Sequence, residues 1–205
     1  MLQNISHFGD TRDYLPIITA ALIVDMVIIL SMDLGYTRVA SLTAWYESFG
    51  GLAVLADVLS ITIGVILARF VYTLGYLKWD ALMRPTRSSR ATLPINQSAY
   101  TTVFSKYSLP AFLAVTCAVQ VTHDLLFTGV IYGIPRGNSR MLDVFKDYGD
   151  EVGATILLID AAMMISTVLL ASWFAGFSQN FQVILLIVAL YILPYLLYSI
   201  PVEKK

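Results

Sequence analysis

The sequence predicts an all-α integral membrane protein, a single domain over residues 1–205 with five transmembrane helices and one amphipathic helix at the membrane interface. Of the 205 residues, 58% are apolar and 13% are charged. The mean hydropathy is +0.73, which lies outside the usual range for a soluble domain. Stretches of about twenty apolar residues, enough to cross ~30 Å of hydrocarbon, recur five times. Residues 17–30 and 183–193 are almost continuously apolar, which favours helices over the alternating pattern of a β-barrel.

The predicted spans cover residues 15–34, 51–72, 109–131, 154–177 and 181–200. The connection between the last two is very short, with Ser178, Gln179 and Asn180 as its polar core. It predicts a tight antiparallel hairpin of the final two helices. Helix breakers cluster near the end of the last span, among them Pro194. If that segment enters the membrane and returns on the same side, the number of spans falls to four.

Two connections differ clearly in composition. Residues 36–49 include Trp45, Tyr46 and Phe49 among polar residues, a pattern typical of a segment in the headgroup zone that is anchored by its aromatic side chains. Residues 78–106 are predicted to form a flexible basic loop. The basic residues expected in this loop or at the membrane interface beside it are Arg69, Lys78, Arg84, Arg87 and Arg90. We expect Arg69 to extend its guanidinium toward the lipid headgroups.

Residues 139–152 have the pattern of an amphipathic interfacial helix. Asn138 or Ser139 supplies an N-cap. Apolar side chains follow at helical spacing, and charged residues fall mostly on the opposite side. The apolar set is Met141, Leu142, Phe145, Tyr148 and Val152, and the charged set is Asp143, Lys146, Asp147, Asp150 and Glu151.

Ionisable residues lie well inside four of the five spans, where they are energetically costly and often functional. Successive spans run in opposite directions, so a rise of 1.5 Å per residue places each of these residues about 9–13 Å from the same membrane face. The sequence therefore predicts one intramembrane polar layer. Its members are Asp25, Asp57, Ser60, Gln120, His123, Asp124 and Asp160. The last span contributes no charge, but we expect Tyr191, Tyr195 and Tyr198 to supply hydroxyl partners.

The spacing of these residues along each span predicts which of them share a helix face. Gln120 and Asp124 are four apart and share a helix face. Asp57 and Ser60 share a face with Gly64, which lets another helix approach closely beside the carboxylate.

Several function classes lack support in the sequence. A formal net charge of −1 argues against specific nucleic-acid binding. The single cysteine, Cys117, cannot form an intrachain disulfide. No phosphate-binding loop, nucleophile elbow or zinc-protease motif is present, so we expect no enzymatic activity and no cofactor. A metal site at His123 is a weak alternative, because no Glu-x-x-His ligand pair accompanies it.

Two functional interpretations remain. In the first, the polar layer is a structural network that holds the helices together, and the protein is a non-enzymatic membrane component whose loops contact neighbouring proteins. In the second, the same acidic and imidazole groups form a pathway for protons or ions in a small transporter or channel. The first is the leading hypothesis. The expected partners are the lipid bilayer and other membrane proteins, and self-association into a homo-oligomer remains open.

Four runs of the chain are distinctive: LARFVY at 67–72, QVTHDLLF at 120–127, IPRGNSRMLDVFKDY at 134–148 and LYILPY at 190–195. Together they resemble an uncharacterised multi-pass membrane protein family encoded by large DNA viruses of algae and protists. The resemblance covers most of the chain from Gly51 onward. It implies a protein of the internal membrane of a virion, with the capsid as a further partner, and it implies no catalytic residues.

Overall fold

The computed structural model describes residues 2–83 and 107–199, apart from the side chains of 76–83. Within those residues every regular element is helical. After a short 3-10 turn at Thr11–Asp13, the helices are α1 Tyr14–Asp33, α2 Ala40–Phe49, α3 Gly51–Met83, α4 Leu109–Gly133, α5 Arg140–Val152, α6 Thr155–Phe174 and α7 Gln179–Leu197. The basic loop predicted at 78–106 lies almost wholly outside the described residues, Arg84, Arg87 and Arg90 included. Lys78 is described only as backbone of α3.

Five helices are long and apolar enough to cross a membrane. They are Thr11–Asp33, Gly51–Gly75, Leu109–Gly133, Thr155–Phe174 and Gln179–Leu197. The predicted fold class is therefore confirmed, and the chain is a multi-pass membrane protein. The two short helices, α2 and α5, occur in the connections where the sequence indicates interfacial segments.

Local sequence signals explain where several helices begin. The side chains of Ser108, Ser139 and Ser178 accept hydrogen bonds from backbone amides in the first turns of α4, α5 and α7, the usual role of an N-cap serine. Gly50 and Gly153 adopt positive φ angles of 50° and 61°, which residues with a Cβ rarely adopt. These two glycines turn the chain sharply from α2 into α3 and from α5 into α6.

Helix α1 is the centre of the bundle and packs against α3, α6 and α7, while α4 packs against α3 and α6. Small side chains allow these close contacts. The fully buried alanines include Ala20, Ala21, Ala68 and Ala171. Gly64 is a further point of close approach, since a Cβ at that position would lie 2.9 Å from Met164 Cε and 3.3 Å from Gln120 Oε1. The structure thus shows the close approach at Gly64 that the sequence predicts.

The hairpin predicted for the last two helices is wrong. Helix α7 packs along α1 rather than along α6, because the short connection fixes only where α7 begins, and the apolar α1 offers the packing surface. Helix α7 ends level with the end of α1, where Ser199 Oγ donates to Asp33 Oδ2 at 2.7 Å. It therefore crosses the full bundle.

The tyrosines of α7 do not reach the polar layer, contrary to expectation. Tyr191, Tyr195 and Tyr198 are all exposed, and Tyr195 donates to the hydroxyl of Tyr191 at 3.2 Å. Tyr191 and Tyr195 lie on an exposed side of α7, and Tyr198, which follows the helix, brings its hydroxyl close to Gly50.

The two ends of the bundle differ, and each is named here for what lies on it. The cap face carries α2 and α5 and is the end at which α1 finishes and α3 begins. The N-terminal face carries residues 2–13. There Gln3 N donates to Ser172 O at 2.8 Å, which attaches the segment to α6. Phe8 N donates to Thr73 Oγ1 at 3.2 Å, which attaches it to α3.

Arg69 lies beneath this N-terminal segment, so the prediction that it extends to the headgroups is wrong. Its side chain is 0% exposed. The guanidinium donates to Asp13 Oδ2 at 2.9 Å, to Asp10 O at 2.7 Å and to His7 O. It also lies over the ring of Tyr14, 5.2 Å from the ring centroid. Because the segment folds back over α3, it supplies three acceptors to Nη2 of the guanidinium, whereas Nε and Nη1 have no hydrogen-bond partner among the described residues. The side chain is therefore held beneath the segment and does not extend to the headgroups.

We predict that Arg69→Met lowers the free energy of unfolding by about 3–5 kcal/mol, because it leaves Asp13 enclosed without its counter-charge. Thermal unfolding in detergent micelles measures the change. Arg12→Met is the matched control, since the Arg12 side chain is 88% exposed in its pair with Asp10, and its melting temperature should not change. Equal melting temperatures for the two variants would contradict a stabilising role for Arg69.

Candidate functional site

The acidic residues of the spans lie in one layer beneath the cap face. Counting 1.5 Å per residue from the cap-face end of each helix places Asp25, Asp57, Asp124 and Asp160 at about 8–14 Å depth. The structure divides the predicted layer into two hydrogen-bonded groups with Asp160 between them.

The first group joins α1, α2 and α3. The Tyr46 hydroxyl donates to Asp25 Oδ1 at 2.6 Å and lies 3.2 Å from Asp57 Oδ2. Trp45 Nε1 donates to the same Asp57 oxygen at 2.9 Å. Asp25 is completely buried, and its Oδ2 has no hydrogen-bond partner among the described residues. We call Asp25, Tyr46 and Asp57 the carboxyl bridge.

Burial raises the pKa of Tyr46, and the neighbouring carboxylates of Asp25 and Asp57 raise it further. The phenol therefore keeps its proton at neutral pH and acts as a hydrogen-bond donor. The phenol therefore offers one hydrogen-bond donor to a site that contains two carboxyl groups.

The second group lies on α4. Gln120 Nε2 donates to Asp124 Oδ1 at 2.7 Å, and His123 Nδ1 lies 3.1 Å from the same oxygen. The His123 side chain is 41% exposed, and its ring stacks on that of Phe127 with centroids 5.6 Å apart. The helix-face pairing of Gln120 with Asp124 is thus present, and the side-chain oxygen of Gln120 faces Gly64 of α3.

Asp160 stands between the two groups. It interacts electrostatically with Asp124 and Asp57, although within the described part of the chain it forms no hydrogen bond or ion pair. Tyr148 of α5 lies close to these acids as well. Burial raises the pKa of Tyr148 to about 12, with the carboxylates of Asp160, Asp57 and Glu151 as further causes. Ser60 is half-buried on α3 and has no hydrogen bond to a described residue.

The cap consists of α2 and α5, which pack against each other over the polar layer. The rings of Trp45 and Phe145 are 4.6 Å apart. Glu151 of α5 accepts hydrogen bonds at the start of α2, from Ala40 N at 2.9 Å, Ser41 N at 2.8 Å and Ser41 Oγ at 2.6 Å. We call this set of bonds the Glu151 clasp. A carboxylate at a helix N-terminus is also favoured by the helix dipole.

Helix α5 departs from the predicted amphipathic pattern at one residue. Lys146 is buried, although the sequence places it among the charged residues of the outer side. Its ammonium donates to the carbonyl oxygen of Ile134, the residue that follows α4. The long side chain thus fastens α5 to the end of α4, and its ammonium also lies 4.0 Å from the carboxylate of Asp143.

The fold and this layer define a helical multi-pass membrane protein with a buried acidic network. Comparison with models of known protein families, with curated proteins and with solved structures gives no match to this chain. Nowhere in the described parts of the chain do three or more histidine, cysteine, aspartate or glutamate side chains form a group that could hold a metal ion.

Sequence reasoning missed the residues that bind the carboxyl groups. Trp45 and Tyr46 are buried rather than anchored in the headgroups, because α2 turns this side of the helix toward the bundle. Glu151 and Tyr148 were assigned only to the two faces of an amphipathic helix. One available signal was the short separation of Trp45 and Tyr46 from Asp57, since a sharp turn at Gly50 brings a preceding helix back over the start of α3.

We predict that Tyr46→Phe lowers the free energy of unfolding by about 1–3 kcal/mol, the cost of leaving a buried polar group without its hydrogen bond. The ring and its packing are unchanged, so the loss reports the hydroxyl alone. Thermal unfolding in detergent measures it. The control is Tyr36→Phe, because Tyr36 is 83% exposed and its hydroxyl can bond to water. A Tyr46→Phe protein as stable as this control would show that the hydroxyl contributes nothing.

The Glu151 clasp yields a separate prediction about α2. Hydrogen bonds from the Ser41 side chain, and then from the backbone amides, hold the pKa of Glu151 below its ordinary value. The clasp is therefore complete at neutral pH and is lost as the pH falls through that lowered pKa. Glu151→Gln removes the charge and one acceptor oxygen, and should speed hydrogen exchange at the amides of Ala40 and Ser41 at neutral pH. Glu47→Gln, at an exposed position on α2, should leave both exchange rates unchanged. Unaltered exchange in Glu151→Gln would mean that the clasp does not hold α2.

Proposed function

We propose that this protein is a non-enzymatic structural component of a membrane, in which the polar layer fixes an ordered cap on one face. The observation that carries the proposal is that two buried acids of the spans accept hydrogen bonds from an interfacial helix. Asp25 and Asp57 bond to Tyr46 and Trp45 of α2, so costly intramembrane groups serve to anchor an interfacial helix. The Glu151 clasp then joins α5 to that helix.

The cap presents a charged outer surface suited to contact with other proteins. On α5, Asp147 and Asp150 bond to Arg136 at 2.7 and 3.1 Å, and these side chains are exposed. Ion pairs of this kind are weak at a surface in water and are readily exchanged for pairs with a partner. Neighbouring membrane proteins or a capsid are the partners we propose, and self-association is compatible with the same surface.

The likeness to membrane proteins of large DNA viruses supports one location, the internal membrane of a virion. In that setting the bundle would occupy the bilayer while the cap contacts the protein layer beside it. The net charge of −1 and the acidic outer side of α5 favour a protein partner over nucleic acid.

A second candidate function is proton or ion transfer through the acidic layer. It is favoured by two buried oxygens, Asp25 Oδ2 and Asp124 Oδ2, for which the described residues supply no hydrogen-bond partner. Buried polar atoms are rarely left without partners. Asp160, placed between the two groups, would join them into a series from Asp25 to His123.

Reconstitution into proteoliposomes with an entrapped pH-sensitive dye tests the proposal. Asp57→Leu and His123→Leu should reduce the yield of folded protein, and wild-type vesicles should show no proton or cation flux above protein-free vesicles. Flux in wild type that disappears in folded Asp124→Asn would reject the structural proposal in favour of transport. Asp33→Asn, at the cap-face end of α1, serves as the matched substitution that should alter neither yield nor flux.

A further inference from the structure

We propose that the carboxyl bridge is a proton-binding site, in which Asp25 carries a proton and Asp57 carries the negative charge. This inference rests on the proposed anchoring of α2 through the bridge and adds the ligand that makes the anchoring work. The ligand is a single proton that is shared between two helices of the bundle through a phenol on a third.

The argument begins with a count of hydrogens. The Tyr46 oxygen lies 2.6 Å from Asp25 Oδ1 and 3.2 Å from Asp57 Oδ2, so both distances are within hydrogen-bond range. A phenol has one proton and can donate fully to only one carboxylate. With both acids ionised, the other oxygen would face the phenol oxygen without a hydrogen between them. A second proton removes this conflict.

The partners of the two acids decide which of them carries the proton. Asp57 Oδ2 already accepts from Trp45 Nε1 at 2.9 Å, and two donors at one oxygen stabilise a carboxylate. In the described part of the chain, Asp25 has no such second donor. In the proposed arrangement, the Asp25 hydroxyl donates to the Tyr46 oxygen and the Tyr46 hydroxyl donates to Asp57. Every hydrogen and acceptor along this line is then used.

Burial acts in the same direction. Asp25 is 0% exposed and its second oxygen, Oδ2, has no hydrogen-bond partner among the described residues. An ionised carboxylate leaves that oxygen enclosed with its charge unsolvated, whereas the carbonyl oxygen of a protonated carboxyl costs much less to enclose.

Among the described residues, no group supplies positive charge to Asp25 or Asp57. Within the bridge, Asp25, Asp57 and Tyr46 face one another, and the other titratable groups near it are Tyr148 of α5 and Asp160 of α6. Glu151 of α5 lies beyond Tyr148, and Asp124 of α4 lies beyond Asp160. Helix α7, which packs against α1, contains no charged residue. Within the described chain, no arginine or lysine bonds to either acid of the bridge. Full ionisation would place several like charges together in an apolar medium, which is strongly unfavourable.

Infrared spectroscopy of the protein in lipid at neutral pH tests the site directly. A protonated carboxyl has a carbonyl band, separate from the carboxylate bands, that shifts in D2O. We expect wild type to show this band and Asp25→Asn to lose the Asp25 part of it, while Asp33→Asn on the same helix leaves it unchanged. A wild-type spectrum without the band, or an Asp25→Asn spectrum that keeps all of it, would overturn the proposal.

Stability provides the second measurement. The amide of Asp25→Asn can donate to the Tyr46 oxygen as a protonated carboxyl does, so its melting temperature at neutral pH should match wild type, whereas Asp25→Leu should melt lower. Because the folded state binds a proton that alkaline pH removes, wild-type stability should fall as the pH rises, and Asp25→Asn should not show this loss. An Asp25→Asn protein that is as unstable as Asp25→Leu would overturn the proposal.

The two sets of measurements separate the inference from the proposed function. If the infrared band does not depend on Asp25 but Tyr46→Phe still lowers stability, the bound proton is rejected and the anchoring of α2 by Tyr46 is retained. Flux in proteoliposomes would remove the structural function while leaving the bound proton in place.

Discussion

The fold depends on the high cost of placing a carboxyl group inside a low-dielectric medium. Transfer of an ion from water to such a medium costs several kcal/mol even after relaxation, and α1 and α3 each contain an aspartate at that depth. The structure meets this cost with Tyr46 and Trp45. These donors cannot be supplied by lipid, so the interfacial helix that carries them must dock on the bundle. The position of α2 follows from the acids beneath it.

Arg69 obeys the same constraint at the opposite face. Its guanidinium is enclosed, and the chain covers it with the carbonyl groups of His7 and Asp10 and the carboxylate of Asp13. Both ends of the bundle are thus closed by non-spanning segments that bind a buried ionisable group. The middle of the bundle is mostly small and aliphatic, as the fully buried Ala20, Ala21, Val65 and Val168 show.

The depth of each acidic residue in the membrane could be predicted from the sequence, but the direction in which its side chain points around the helix axis could not. The rise per residue fixes how far Asp25, Asp57, Asp124 and Asp160 lie from one face, so their common layer follows from counting. Which of them bond depends on helix rotation, and this divided the layer into two groups. Tyr191 and Tyr195 lie at a suitable height but point outward for the same reason.

Three further features had no readable signal. Arg69 resembles any basic residue near an interface, and its partners are mostly backbone carbonyls of an irregular segment, which leave no pattern in the sequence. The tight hairpin of the last two helices followed from loop length alone, whereas packing against α1 decided the outcome. Trp45 and Tyr46 match the composition of an aromatic belt at the membrane interface. Their role as hydrogen-bond donors to the buried acids depends on which side of α2 faces the bundle.

The Glu151 clasp sets an order for assembly during synthesis. Trp45 and Tyr46 emerge from the ribosome before Asp57 and soon after Asp25, so the acids meet their donors as α3 enters the bilayer. Glu151 follows Ser41 by 110 residues, which takes roughly 5 to 20 s at ordinary translation speeds. During that interval the backbone amides of Ala40 and Ser41 cannot yet donate hydrogen bonds to Glu151. The order of residues along the chain therefore allows the carboxyl bridge to form before the Glu151 clasp.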